Sequence, residues 1–229
     1  MEFSRRHFMG ATLATAAGLT TASCVAPRKL ASVAPPLPPA APERPAAPEP
    51  LAASTPAPRD LPPLVAEALA ALEAHSSQVV YRDRIGVVDF TLASRDPRFH
   101  LVNVESGRIE RSWLVAHGSG SDPAATGMLH RFSNQPGSNA TSRGAYLTAN
   151  AYYGQHGRSQ RLIGLGPDND MALDRAIVIH GAPYVDPALI PRQGRIGRSQ
   201  GCFAFELGEV GTVMDLLGEG RMIYASKLA

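Results

Sequence analysis

The residues with chemistry to offer stand close together in the C-terminal part of the chain. His180 ends an apolar run, residues 176–179, and is followed by Gly181. Cys202 lies in a short glycine-bearing loop, Gly197-Arg198-Ser199-Gln200-Gly201-Cys202-Phe203. A thiolate is a strong nucleophile, but a free thiol with a pKa near ~8.5 is mostly protonated at neutral pH. An imidazole beside it takes the proton and holds the resulting ion pair. The two residue types together predict acyl transfer, with Cys202 as nucleophile and His180 as base. Gly201, directly before Cys202, lets the backbone turn tightly and bare its amides, as an oxyanion hole requires. Gly181 opens room beside the imidazole. The plain alternative is a space-filling buried thiol and a satisfied strand-end histidine.

These residues need a scaffold. Residues 176–179 are continuously apolar, which predicts a buried strand that delivers His180 to the edge of the core. The loop 182–198 then crosses back with Arg192, Arg195 and Arg198, and Arg198 is near enough to Cys202 to meet a substrate carboxylate. Phe203-Ala204-Phe205 reads as a core strand, 207–217 as a closing helix stopped by Gly218 and Gly220, and Met222-Ile223-Tyr224 as a last strand. Upstream, residues 64–75 place Leu64, Ala68 and Leu72 on one helical face. Residues 85–90, 99–104 and 109–116 read as strands, the last two joined at Ser106-Gly107. An irregular region, 117–141, follows, and His117 in its Gly-rich start fits a structural role. Tyr152 and Tyr153, aromatic with polar tips, suit a groove that holds a peptide. His156 is read as capping a turn or touching substrate, without a catalytic role. Residues 161–165 read as a short strand, and Pro167-Asp168-Asn169-Asp170 as a solvated turn without calcium-loop spacing.

Several separated motifs resemble one family, the L,D-transpeptidase (YkuD-type) catalytic domain, in its murein L,D-transpeptidase catalytic domain branch. They are Ile179-His180-Gly181 and Ser199-Gln200-Gly201-Cys202, with Phe132-Ser133-Asn134, Gly137-Ser138, Tyr152-Tyr153-Gly154, His156-Gly157 and Gly164-Leu165 upstream. The better-known branch has His where Gln200 stands and Arg where Ala204 stands. The resemblance implies a mainly β fold, a sandwich or barrel of mixed sheets with a few marginal helices. It implies that residues 142–148 line one wall of a substrate cleft. It also implies peptidoglycan stem peptides as substrate. Cys202 would form a thioester at diaminopimelate, release D-alanine, and pass the acyl group to a second stem in a 3→3 cross-link. His180 would act as base with Gly181 orienting it through its carbonyl. Gly201, Ser199, Arg198 and Tyr153 would serve the oxyanion and the substrate. No metal or cofactor is implied, and the chain is expected to be a monomer. Water as acceptor would make it an L,D-carboxypeptidase, and a binding module without catalysis is a third outcome. A zinc peptidase is the poorest rival, because His117, His130, His156 and His180 lack a His-Glu-x-x-His spacing.

The N-terminus predicts export. Ser4-Arg5-Arg6-His7-Phe8 followed by a modest apolar run reads as a twin-arginine signal over residues 1–24. Thr21-Ala22-Ser23-Cys24 resembles a lipobox, so lipidation of Cys24 and an idle or discarded Cys24 are both open. Residues 25–63 are dominated by Pro and Ala, which cannot repay ordering entropy, and read as a disordered linker. Residues 64–229 then form one catalytic domain. A periplasmic or envelope location follows, with the membrane met only through a lipid anchor. The net charge of +2 provides no basic field for nucleic acid. Two cysteines exclude a disulfide framework.

Overall fold

A computed structural model describes residues 61–228. The expected signal, Cys24 and the expected linker up to residue 60 lie outside the described residues. The first element, α1 (Pro63–Ala74), starts with Pro62 as N-cap and Pro63 at N1, where a missing N–H costs nothing. Its buried face is Leu64, Val65, Ala68 and Leu72, as the spacing predicts.

The strands are β1 (Arg84–Asp89), β2 (Phe99–Asn103), β3 (Ile109–Trp113), β4 (Gly144–Gly154), β5 (Gly157–Gly164), β6 (Val178–Gly181), β7 (Phe203–Phe205) and β8 (Met222–Ser226). Two further helices are α2 (Ile190–Gln193) and α3 (Val210–Leu217). The strands make one mixed sheet in the order β3-β2-β1-β8-β4-β5-β6-β7. The pairs β1/β8 and β6/β7 are parallel and the rest antiparallel. Just beyond β3, Ala116 N–H donates to Ala204 O on β7 at 2.9 Å. That bridge draws the two ends of the strand order together. The expected mainly β fold with mixed pairing and marginal helices is present.

Alternation along the strands fills two cores. Ile85, Val87, Ala145, Met222 and Tyr224 face α1. Val88, Phe99, Leu101, Ile223 and Ala225 face the other way, toward Val213, Met214 and Leu217 of α3. Each fully buried large side chain contributes about 1.5–3 kcal/mol. Every residue of β8 is buried, as a strand covered on both faces requires. Glu67 of α1 accepts from the Tyr224 hydroxyl at 2.6 Å and from Arg143 Nη2 at 2.9 Å, so the helix is pinned to β8 and β4's approach.

Three local expectations need correction. The strand expected at 161–165 is longer, and it pairs with β4 as a hairpin whose two-residue turn is Gln155-His156. Gly157 closes that turn at φ 73°, a left-handed conformation glycine adopts without strain. Residues 142–148 are not a cleft wall. Ala145, Tyr146 and Thr148 are buried, and the first half of β4 runs between β5 and β8. Finally, the 167–170 turn is not solvated throughout. Asn169 is buried, its Nδ2 donates to Ala145 O at 2.7 Å, and its Oδ1 accepts from Gly166 N–H at 3.0 Å.

Candidate active site

Strand β6 lies between β5 and β7, with His180 level with Ser159 on one side and Ala204 on the other. The imidazole is 2% exposed. Its Nδ1 is 3.0 Å from the Gly181 carbonyl. A carbonyl only accepts, so Nδ1 carries the hydrogen and the neutral ring presents a bare Nε2. Burial holds this histidine below the ordinary imidazole value, against the Gly181 bond, and the neighbouring His156 adds to the depression.

The loop before β7 is stapled from inside. Ser199 is 4% exposed, and its Oγ donates to Cys202 O at 2.7 Å while accepting from Gly201 N–H at 3.1 Å. Ser199 N–H donates to His117 O at 2.9 Å, and Ser119 N–H donates to Ser199 O at 2.8 Å. Gly201 sits at φ 115°, and a Cβ there would stand 2.8 Å from Ala140 O, so the turn does require glycine. The expected oxyanion role of the Gly201 amide is not what this arrangement offers, because Ser199 already takes that N–H.

Cys202 precedes the β7 residue level with Ile179, and its Sγ donates to Ala176 O at 3.6 Å. Ala176 is held at φ 52°, which costs a non-glycine residue about 1–2 kcal/mol. Strain of this kind gathers at functional sites. Here it turns a carbonyl to the thiol. Burial raises the thiol above its ordinary value, opposed by a main-chain hydrogen bond from Val178 and by the Arg175 charge. Burial thus acts against the charged form of each group, raising the thiol and lowering the imidazole. The ion pair expected from the sequence is disfavoured because a half-dry pocket penalises both charges.

Cys202 and His180 open on one cavity of about 760 Å³. Tyr152, Arg175, Tyr184 and Arg198 line it too. Arg175 carries no motif signal; beside Asp174 it reads as an ordinary surface pair. The fold makes it a clamp. Its Nη1 donates to Ser133 O and Ser142 Oγ at 2.8 and 2.6 Å, and its Nη2 to Ala140 O at 2.5 Å. Arg198 lines the cavity while donating to the Asp122 carbonyl. Tyr153 does not line it. It is 84% exposed, and Tyr152 on the opposite face of β4 takes the place expected for it. The histidines do not converge on a metal: His117 is buried against Arg98, His130 meets Thr126, and His156 stacks on His180. Among the described residues no three His, Cys, Asp or Glu form a ligand group.

This electrostatic state is testable. Alkylation of Cys202, followed by mass spectrometry of its peptide, is expected to have a pH midpoint above that of an ordinary thiol. Arg175→Met is expected to move it higher still. A midpoint below the ordinary range would restore the resting ion pair.

The family described as L,D-transpeptidase catalytic domain matches residues 61–226. No curated protein matches the chain. Among solved structures, an L,D-transpeptidase from Mycobacterium smegmatis is 15% identical with a TM-score of 0.39, covering 63% of this chain and 58% of its own. An L,D-transpeptidase from Xylanimonas cellulosilytica is 18% identical with a TM-score of 0.37, covering 70% and 69%. The helical cell shape determining protein Pgp2 from Campylobacter jejuni is 14% identical with a TM-score of 0.41, covering 72% and 55%. The chain thus spans less than two thirds of the M. smegmatis and C. jejuni proteins it matches.

Proposed function

Because this chain belongs to the L,D-transpeptidase catalytic domain family, we propose that it is a cysteine acyltransferase acting on peptidoglycan stem peptides in the cell envelope. The observation that carries this reading is the meeting of the Cys202 thiol and the His180 imidazole on one cavity, from two adjacent parallel strands in which Ile179 is level with Phe203.

The chemistry follows from the resting state. As a tetrapeptide stem enters, the thiol leaves the Ala176 carbonyl and gives its proton to His180 Nε2. Sγ attacks the carbonyl carbon of the L-centre of diaminopimelate. The Cys202 main-chain N–H serves the oxyanion, and one such donor is worth about 10²–10³ in rate. The C–N bond breaks, His180 returns the proton to the departing amine of D-alanine, and a Cys202 thioester remains. A side-chain amine of a second stem then attacks the thioester, which yields a 3→3 cross-link and frees the thiol. Gly181 O keeps the proton on Nδ1 throughout, so Nε2 remains the working nitrogen. Arg175 favours the transient thiolate by its charge. Arg198 offers a cation to a carboxylate of the stem. Export through the N-terminal signal, with or without lipid on Cys24, would bring the domain to this substrate.

The test is incubation of the purified chain with tetrapeptide muropeptides, read by mass spectrometry. Release of D-alanine with a dimer of the cross-linked mass is the expected result. D-alanine release with tripeptide alone makes water the acceptor. Unaltered muropeptides under conditions where the chain is folded would overturn the proposal.

A further inference from the structure

The hairpin of β4 and β5 ends in a turn that reaches the candidate base. His156, at its tip, lies with its ring centroid 4.3 Å from that of His180 and the planes 25° apart. This is a stacked contact between an exposed ring and a buried one. The register explains why the tip arrives there: Ser159 of β5 is level with His180, and the hairpin continues past it toward the cavity. The turn itself is fixed by the pairing of Gly154 with Gly157. A second contact orients the outer ring. Gln155 Nε2 is 3.1 Å from His156 Nε2, and an amide nitrogen donates, so His156 Nε2 accepts in that contact.

We propose that His156 is a positioning residue for His180: its ring covers one face of the imidazole, keeps water from that face, and fixes the plane in which Nε2 meets the cavity. The inference rests on the assignment of His180 as the base. Two contacts then define that base completely. Gly181 O sets which nitrogen carries the hydrogen, and His156 sets where the other one points. A ring on a hairpin tip is also one that substrate meets on entry, since Tyr152, Gln155 and His156 line the same cavity. A general base works only within hydrogen-bond reach of its proton, so loss of the plane costs rate even where the base remains.

The titratable groups that line the cavity with His180 are Tyr152 and His156 from the hairpin, Asp174 and Arg175 from the approach to β6, Tyr184 from its exit, and Arg198 and Cys202 from the loop before β7. Of these His156 stacks on the ring face. The experiment is therefore a direct titration of the His180 ring by NMR with labelled histidine, in the full chain and in His156→Ala and His156→Phe. It needs no substrate, so it stands whether or not the chain cross-links peptidoglycan. In the wild type the midpoint is expected below that of a free imidazole. His156→Ala opens the face to water and is expected to move it upward. His156→Phe restores a flat cover without a charge, and its midpoint is expected between those of the other two. An unmoved midpoint in His156→Ala would overturn the proposal. So would a phenylalanine variant shifted as far as the alanine one, because the cover would then be irrelevant.

Discussion

Cys202→Ala is expected to release no detectable D-alanine from tetrapeptide stems. Removing a covalent nucleophile costs on the order of 10⁶ in turnover where the residue acts as a unit with its base. The variant should keep everything else. The turn at Gly201 and the Ser199 staple use main-chain atoms and the serine hydroxyl, and none of these bonds involves the sulfur. The hydrogen bond that the thiol donates to Ala176 O is long, at 3.6 Å, and its loss leaves a carbonyl that faces the cavity. The unfolding midpoint should therefore move little. Stem peptides should still bind, because the cavity walls are unchanged. Mass spectrometry of muropeptides reads the first outcome and titration calorimetry the second. D-alanine release at the wild-type rate would remove Cys202 from the chemistry. Loss of release with retained binding separates an enzyme from a wall-binding module, which would behave identically with either residue.

The pairing of Cys202 and His180 on one cavity is legible because the signals are local. An apolar run ending in His180-Gly181, and a glycine before Cys202, state their geometry within a few residues. The same holds for α1, whose buried face repeats at helical spacing. What could not be read depends on partners far along the chain. β8 comes last in sequence yet sits in the middle of the sheet, between β1 and β4, and nothing within Met222–Ser226 names those neighbours. The β4/β5 hairpin had a usable signal in Gly154 and Gly157 around two residues, but the tyrosines before it drew attention to a groove instead. Arg175 carries no motif signal of its own. It becomes a clamp only when loop carbonyls at Ser133 and Ala140 are folded onto it. The protonation of the Cys202–His180 pair has a related dependence: residue types suggest who could exchange a proton, and burial weighs against the charge on each group.

A second large effect is expected at a residue that touches no substrate. Arg98 is fully buried. Its Nε and Nη2 donate to Val115 O at 3.1 and 2.9 Å, and its Nη1 donates to Leu92 O at 3.1 Å. Nη2 also lies 2.7 Å from His117 Nδ1. A guanidinium only donates, so Nδ1 is bare and the His117 hydrogen sits on Nε2, which faces Asp122 Oδ2 at 3.5 Å. Asp122 in turn accepts from the N–H groups of Thr126 and Gly127 at 2.9 and 2.8 Å. This chain of buried groups anchors the loop that carries Cys202, because Ser199 N–H bonds the His117 carbonyl and Arg198 bonds that of Asp122. Arg98→Met keeps an apolar stem but strands two carbonyls and an imidazole nitrogen. The expected loss is about 3–5 kcal/mol, the scale for removing one member of a buried charged network, read from urea unfolding at neutral pH.

The pH dependence makes the cause visible. Burial, and then the Arg98 charge, hold His117 down to about 3 in the folded chain. An unfolded imidazole titrates near ~6.5. Between those values the unfolded chain binds more protons, so wild-type stability falls as pH drops through that window. Without Arg98 the ring can take a proton against Asp122, and the folded chain forfeits less. The stability gap between wild type and Arg98→Met should therefore narrow as pH falls from neutrality toward about 3. A gap of constant size would mean that Arg98 serves as a carbonyl anchor alone, and that some other contact keeps His117 neutral beneath the catalytic loop.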